Sequence, residues 1–479
     1  MSLNGIDFLD DDFDRPHEEC GLIGIYAPNE DVARMAFFGL FALQHRGQEA
    51  AGIAVANGQT MSMHKELGLI SNIFTPQSLS NLVGHYAIGH TRYSTTGSSS
   101  MRNVQPFMIE TMHGPLALAH NGNLVNSVEL RDQLLRDGVG LSSSSDSEVM
   151  TMMLARAQGN TWGERIQDCM KKWQGAYSLV ILTRDGVYAV RDPWGFRPLS
   201  VGTLPSGGTA AASETGALQT LGCIVIREIR PGEIVTLSDK ALIVHQALEP
   251  VNPQARCVFE FIYFARPDHV WDGRSVHRVR QRLGEELARE TAVAADVVVP
   301  VPDSSVPAAI GFSHISGIPY NDGFVKNRYV GRTFIEPTDS LRKRGVALKF
   351  NVINENVRDK RVIMIDDSIV RGNTTGPLIK LLRNAGAKEV HIAITCPPIT
   401  HPCFMGVDMG SFEDLIAHER TVDEICNFVG ADSLTYLSLD GMMRAVGRTE
   451  GYCQACFTGK YPVPVDLMSV KTGFELGIA

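Results

Sequence analysis

The string Val362-Ile-Met-Ile-Asp366-Asp367-Ser-Ile-Val-Arg371-Gly-Asn-Thr-Thr375 constrains the fold more than any other stretch of this chain. It opens on a continuous apolar run, the pattern of a parallel strand covered on both faces. Similar runs at 297–301 and 390–394, with a helical stretch at 378–385 closed by Gly386, predict a βαβ unit of a doubly wound sheet. Ligands of such sheets bind beyond the carboxyl ends of the strands. Two adjacent carboxylates stand at that position, followed by a Gly, Ser and Thr loop that can turn N–H groups and hydroxyls onto a phosphate at the helix N-terminus. The loop lacks the Gly-Lys-Ser/Thr of a P-loop and the GxGxxG of a dinucleotide site, which points away from ATP hydrolysis and hydride transfer.

The remaining chain is long enough for a second domain and more: 479 residues correspond to about three domains at roughly 150 residues each. A net charge of −9 argues against binding nucleic acid or an anionic membrane surface, and no uncharged apolar run approaches a membrane span. Nine cysteines, a modest and odd number, fit a reduced cytoplasmic protein in which thiol chemistry or metal ligation accounts for those that matter. Residues 1–19 form an acidic leader with neither signal-peptide nor transit-peptide character. Cys20-Gly-Leu-Ile-Gly-Ile-Tyr26 then reads as a strand beginning at a cysteine. Such a cysteine is usually a small hydrophobe. If the leader is removed as a propeptide, Cys20 gains a free α-amine, whose pKa of about 7.7 to 8.0 suits it as base to its own thiol.

Four further clusters follow in order: Gln44-His-Arg-Gly-Gln-Glu49, His90-Thr-Arg92-Tyr-Ser-Thr-Thr-Gly97, His120-Asn121-Gly122-Asn123, and a serine run at 142–145 leading into Asp146-Ser-Glu148. Taken singly, each is an ordinary polar loop, tight turn or surface ion pair. Together with Cys20 they resemble the N-terminal-nucleophile (Ntn) glutamine amidotransferases. The resemblance implies a four-layer αββα glutaminase domain with Cys20 as nucleophile and Asn121 and Gly122 as the oxyanion hole. It also implies that Arg92 and Asp146 grip the α-carboxylate and α-ammonium of glutamine.

The string from Val362 to Thr375 resembles the phosphoribosylpyrophosphate (PRPP) signature of type I phosphoribosyltransferases. That likeness implies Asp366 and Asp367 for ribose and Mg²⁺, Arg371, Gly372, Asn373, Thr374 and Thr375 for the 5′-phosphate, and Ser304 of Pro302-Asp-Ser-Ser305 at the metal. Lys326, Arg328 and Arg332, in a basic segment running to Lys349, look like a loop closing over PRPP and shielding an oxocarbenium-like state from water. A glutaminase joined to a PRPP site resembles the iron–sulfur, propeptide-bearing subgroup of the glutamine PRPP amidotransferase family. The expected organisation is α/β and α+β: propeptide 1–19, Ntn domain 20–254, phosphoribosyltransferase domain 255–465 with a cluster-binding C-terminal region, and tail 466–479. The CxxC of Cys453 and Cys456 suits zinc or iron–sulfur, and spacing alone leaves the remaining ligands open among Cys169, Cys223, Cys257, Cys396, Cys403 and Cys426. The resemblance selects Cys257 and Cys403 and implies one [4Fe–4S] cluster and one Mg²⁺ per subunit, feedback by purine nucleotides, and a homotetramer. The rivals are another Ntn-type amidotransferase, such as one acting on a sugar phosphate, and a non-catalytic PRPP-sensing regulator.

Overall fold

The computed structural model describes residues 20–93, 100–239, 242–327, 349–409 and 411–467. The leader 1–19, Arg328, Arg332 and residues 468–479 of the tail lie outside them. The chain divides into two compact units. The Cys20 unit takes in the described residues up to 280 together with 401–411 and those from 446 onward, and the Asp366 unit takes in 281–400 and 412–445.

In the Cys20 unit, seven antiparallel strands run in the order Ile224–Glu228, Ser200–Thr203, Thr209–Ala212, Gly21–Tyr26, Tyr86–Arg92, Ala50–Ala56, Met61–Leu67. Six more run in the order Ile243–Gln246, Glu233–Leu237, Gly186–Arg191, Gly175–Thr183, Gly114–Leu124, Phe107–Thr111. Alternation along the strands divides the side chains between faces. Leu22, Ala54, Ile88, Ala117, Ala119, Val180, Val187 and Ala189 share one core, drawn from both sheets. Its alanines allow close approach of the sheets, and at Gly24 a Cβ would stand 3.1 Å from Val187 and 3.2 Å from Val180. The outer face of the first sheet carries the helix Val32–Ala42 through Val32, Ala33, Ala36 and Leu40. That of the second carries Ser127–Arg136, Asp146–Arg156 and Trp162–Met170. The result is the expected αββα layering.

The Asp366 unit holds four parallel strands in the order Val297–Pro300, Arg361–Asp366, Glu389–Ile394, Ser433–Tyr436. The predicted helix runs Thr375–Asn384, starting three residues before its apolar pattern. Packing divides the chain elsewhere than at residue 254. Residues 255–280 and those from 446 belong with the Cys20 unit, since Arg256–Cys257 pairs in parallel with Tyr452–Cys453. Among the described residues no helix is long and apolar enough to cross a membrane.

Candidate active sites

Cys20 stands at the head of the strand Gly21–Tyr26, where Gly21 faces Thr91 and brings Arg92 and Tyr93 alongside. Its Sγ donates to the Tyr93 carbonyl at 3.5 Å, and Arg46 Nε donates to its carbonyl at 3.3 Å. A Cβ on Gly21 would meet Thr91 Oγ1 at 2.7 Å and Leu43 at 2.9 Å, so only glycine fits after this cysteine. Burial pushes the thiol up to about 11, against the pull of Arg92 and Arg46. At neutral pH the sulfur therefore keeps its proton, and attack on an amide requires a base beside it. Arg92 is buried, and desolvation lowers its guanidinium from the ordinary value.

The neighbouring sheet supplies the oxyanion candidates. His90 Nε2 lies 3.2 Å from the His120 carbonyl, tying the strand that carries Arg92 to the one that carries Asn121. Asn121 is 2% exposed, and its Nδ2 has no hydrogen-bond partner among the described residues. Gly122 has φ +142°, and a Cβ there would stand 2.0 Å from the Ala176 carbonyl oxygen. The backbone can take this course only as glycine.

Asp146 opens the helix Asp146–Arg156 behind the N-cap Ser145. Its Oδ2 accepts from the Leu124 N–H at 3.1 Å and lies 3.5 Å from His120 Nδ1. Burial alone would raise its carboxyl, but His120, the Leu124 N–H and Ser147 hold it below the usual carboxylate value. The serine run serves the same helix start: Ser142 and Ser143 each give an N–H and a hydroxyl to Glu148 at 2.7 to 2.8 Å.

Sequence reasoning passed over two residues. His120 joins Asp146 to the oxyanion strand, and fully buried Arg46 binds Glu214 at 2.7 Å and Glu260 at 2.6 Å while holding Cys20. Both sit inside motifs that the sequence displays, but their partners are distant in the chain.

In the Asp366 unit, pairing of Val297–Pro300 with Arg361–Asp366 brings the two acidic segments together. Ser304 Oγ donates to Asp367 Oδ2 at 2.5 Å, Ser305 Oγ to Asp366 Oδ1 at 3.2 Å, and Ser368 Oγ to Asp367 Oδ1 at 2.8 Å. Both carboxylates are buried, at 2% and 1% exposure. The loop from Arg371 turns at Gly372, φ +81°, and Asn373 is exposed while Thr374 and Thr375 are buried. No side-chain cap hydrogen bond closes the start of the helix Thr375–Asn384; its first N–H groups suit a phosphate. Lys326 pairs with Asp303 at 3.1 Å, and Lys349 accepts from the Asn327 N–H at 2.8 Å through its carbonyl.

The four cysteines selected by resemblance all fall in the Cys20 unit. Cys257 and Cys453 are register partners, and Cys403 and Cys453 pack on the same core of Phe196, Ala255, Met405 and Val463. Burial pushes the Cys257 and Cys453 thiols each up to about 12, with Cys403 adding to both. The Tyr461 hydroxyl, raised mainly by burial, also feels Cys403, Cys456 and Cys453. Among the described residues no three His, Cys, Asp or Glu side chains are grouped tightly enough to hold a metal ion.

The glutamine amidotransferase domain family matches residues 90–220. Over 94% of its length the chain is 50% identical to an amidophosphoribosyltransferase of Synechococcus elongatus, covering 93% of that protein. It is 47% identical to one of Methanocaldococcus jannaschii, covering 99%. The solved glutamine PRPP amidotransferase from B. subtilis, complexed with ADP and GMP, superposes with a TM-score of 0.89 at 44% identity, over 94% of this chain and 99% of that one. Likeness of this extent spans both units and excludes a glutaminase of other specificity or a silent PRPP sensor. With αββα layering in one unit and a parallel sheet ending in an acidic loop in the other, the chain belongs to the amidophosphoribosyltransferase family.

Proposed function

We propose that the two units divide the reaction glutamine + PRPP + water → 5-phosphoribosylamine + glutamate + pyrophosphate, the committing step of purine synthesis, between Cys20 and the Asp366 loop. The observation that carries this assignment is the unpartnered Nδ2 of buried Asn121 beside Gly122, at the strand tied through His90 to the Cys20 side. A buried donor without a partner is costly. It is what a site needs when an oxygen acquires charge only during reaction.

Cys20, freed by removal of 1–19, gives its thiol proton to its own α-amine and attacks the glutamine carboxamide. Asn121 Nδ2 and the Gly122 N–H receive the oxyanion, ammonia leaves, and water resolves the thioester to glutamate. Arg92 binds the substrate carboxylate and Asp146 its ammonium. Ammonia then displaces pyrophosphate at C1 of PRPP, whose 5′-phosphate rests on Arg371 to Thr375. Lys326, Arg328, Arg332 and Lys349 also bind PRPP.

Ser304, Asp366 and Asp367 offer the hard oxygen donors that suit Mg²⁺, which when bound neutralises the departing pyrophosphate. For Cys257, Cys403, Cys453 and Cys456 we favour a [4Fe–4S] cluster over zinc. Cys257 and Cys453 are register partners and Cys403 packs with Cys453 on one core, so soft thiolate donors of the kind iron–sulfur clusters take lie close together. Cys257, Cys403, Cys453 and Cys456 would hold such a cluster through their thiolates. The nucleotides bound to the B. subtilis relative support purine nucleotides as feedback inhibitors; a cytoplasmic homotetramer rests on the family resemblance. The test is Cys20→Ala, which should end glutamine use and retain activity with concentrated ammonia; loss of both to the same degree refutes the division.

A further inference from the structure

We infer that Asp272 is a positioning residue for the Cys257–Cys453 pair, an inference that rests on the cluster reading above. Asp272 and Gly273 form the two-residue turn of a hairpin in which Val270 pairs with Ser275 and Trp271 with Arg274. Their φ values of 50° and 70° are those of a type I′ turn, which Asp-Gly favours. The turn presents a carboxylate whose side chain is 7% exposed.

Four side chains converge on it. Tyr452 Oη donates to Oδ2 at 2.7 Å and Arg274 Nη1 to Oδ2 at 2.5 Å. Arg448 Nε lies 3.1 Å from Oδ2, and Arg256 Nη2 lies 3.4 Å from Oδ1. Glu228 fixes the turn from behind, accepting the Asp272 N–H at 3.1 Å and Trp271 Nε1 at 2.8 Å.

Arg256 and Tyr452 are themselves register partners, and each immediately precedes a cysteine: Arg256↔Tyr452 is followed by Cys257↔Cys453. One carboxylate therefore grips both strands one residue before each thiol. A ladder of two residues has little stability of its own, so this clamp, with the Arg256 N–H on Gly451 and the Cys257 N–H on Phe196, each at 3.1 Å, holds the two thiols in register. Groups hydrogen-bonded to the ligands of a metal site set ligand orientation; Asp272 acts one residue further back, through the strands that carry the ligands.

The full chain is purified anaerobically as wild type, Asp272→Asn, Tyr452→Phe and Cys257→Ser. Iron and sulfide content, visible absorbance and its decay in air are followed, and thermal melts are taken before and after removal of iron with a chelator. The inference expects Cys257→Ser to hold no cluster. Asp272→Asn should load one but lose it about 10- to 100-fold faster than wild type, with Tyr452→Phe between. The rise in melting temperature on loading should also shrink in Asp272→Asn. A loaded wild type with Asp272→Asn decaying at the same rate overturns the positioning role while the cluster stands. Equal lowering of the loaded and iron-free melts, with unchanged decay, makes Asp272 merely structural and also overturns it. Wild type lacking iron and sulfide removes the cluster and the inference together.

Discussion

Replacing Asn121 by Leu separates a catalytic donor from a structural one, because the two roles predict opposite effects on stability. Asn121 is buried and its Nδ2 is unpartnered. An unsatisfied buried donor costs about 1–3 kcal/mol, so a side chain of similar volume without that donor should leave the fold as stable or more so. Loss of one oxyanion-hole donor lowers kcat by about 10²- to 10³-fold, or about 2.7–4 kcal/mol. The expected outcome is glutamine-dependent turnover reduced by that factor, ammonia-dependent turnover retained, and a melting temperature unchanged or higher by about 2–4 °C per kcal/mol recovered. Steady-state release of glutamate and pyrophosphate, with a thermal melt of the same preparation, reads all three. A fall in kcat below tenfold would refute the assignment of Nδ2 to the oxyanion. So would a large drop in melting temperature accompanied by equal loss of both activities.

Asp367→Asn should damage the PRPP reaction whichever nitrogen donor is supplied; pyrophosphate release retained with ammonia would count against its role. Arg46→Met leaves Glu214 and Glu260 buried without their guanidinium and should cost about 3–5 kcal/mol in urea unfolding. Burial pushes the Cys169 thiol from 9.0 up to about 12. An unfolded chain releases this proton near pH 9 while the folded chain holds it, so the contribution is complete below pH 9 and falls as pH rises toward 12. Cys169→Ala should accordingly flatten the alkaline loss of stability by about 1.4 kcal/mol per pH unit between pH 10 and 11, and an unchanged slope would remove this thiol from the account.

Much of the site was legible because it is written in contiguous strings. The run into Asp366-Asp367 carries strand, acidic pair and helix start together, and the structure places each in its predicted element. Gly372 was legible as a loop glycine and has the positive φ that favours one, whereas Gly122, which reads singly as a tight turn, lies inside the strand Gly114–Leu124 with φ +142°. Arg46 was not, since nothing near it announces that Glu214 and Glu260 will meet it in the interior. Asp272 carried a local signal, an Asp-Gly pair between short β-forming stretches, but its four partners are brought to it only by the tertiary fold.

Compact packing does not follow the change of pattern near residue 254, for a related reason. Composition changes where the parallel-sheet pattern begins, whereas packing follows the return of the chain: Cys257 N donates to the Phe196 carbonyl at 3.1 Å, and the segment carrying Cys403 comes back against the glutaminase sheet. Asn123 Nδ2 donates to the Phe404 carbonyl at 2.9 Å, and Arg197 Nη2 to that of Met405 at 2.6 Å. A Cβ on Gly406 would stand 2.8 Å from the Gly122 backbone. The residues next to Cys403 thus form a wall of the oxyanion strand. Whatever fixes Cys403 also limits how far Gly122 and Asn123 can shift, so order at the cysteine site and the course of the strand Gly114–Leu124 are set by the same few contacts.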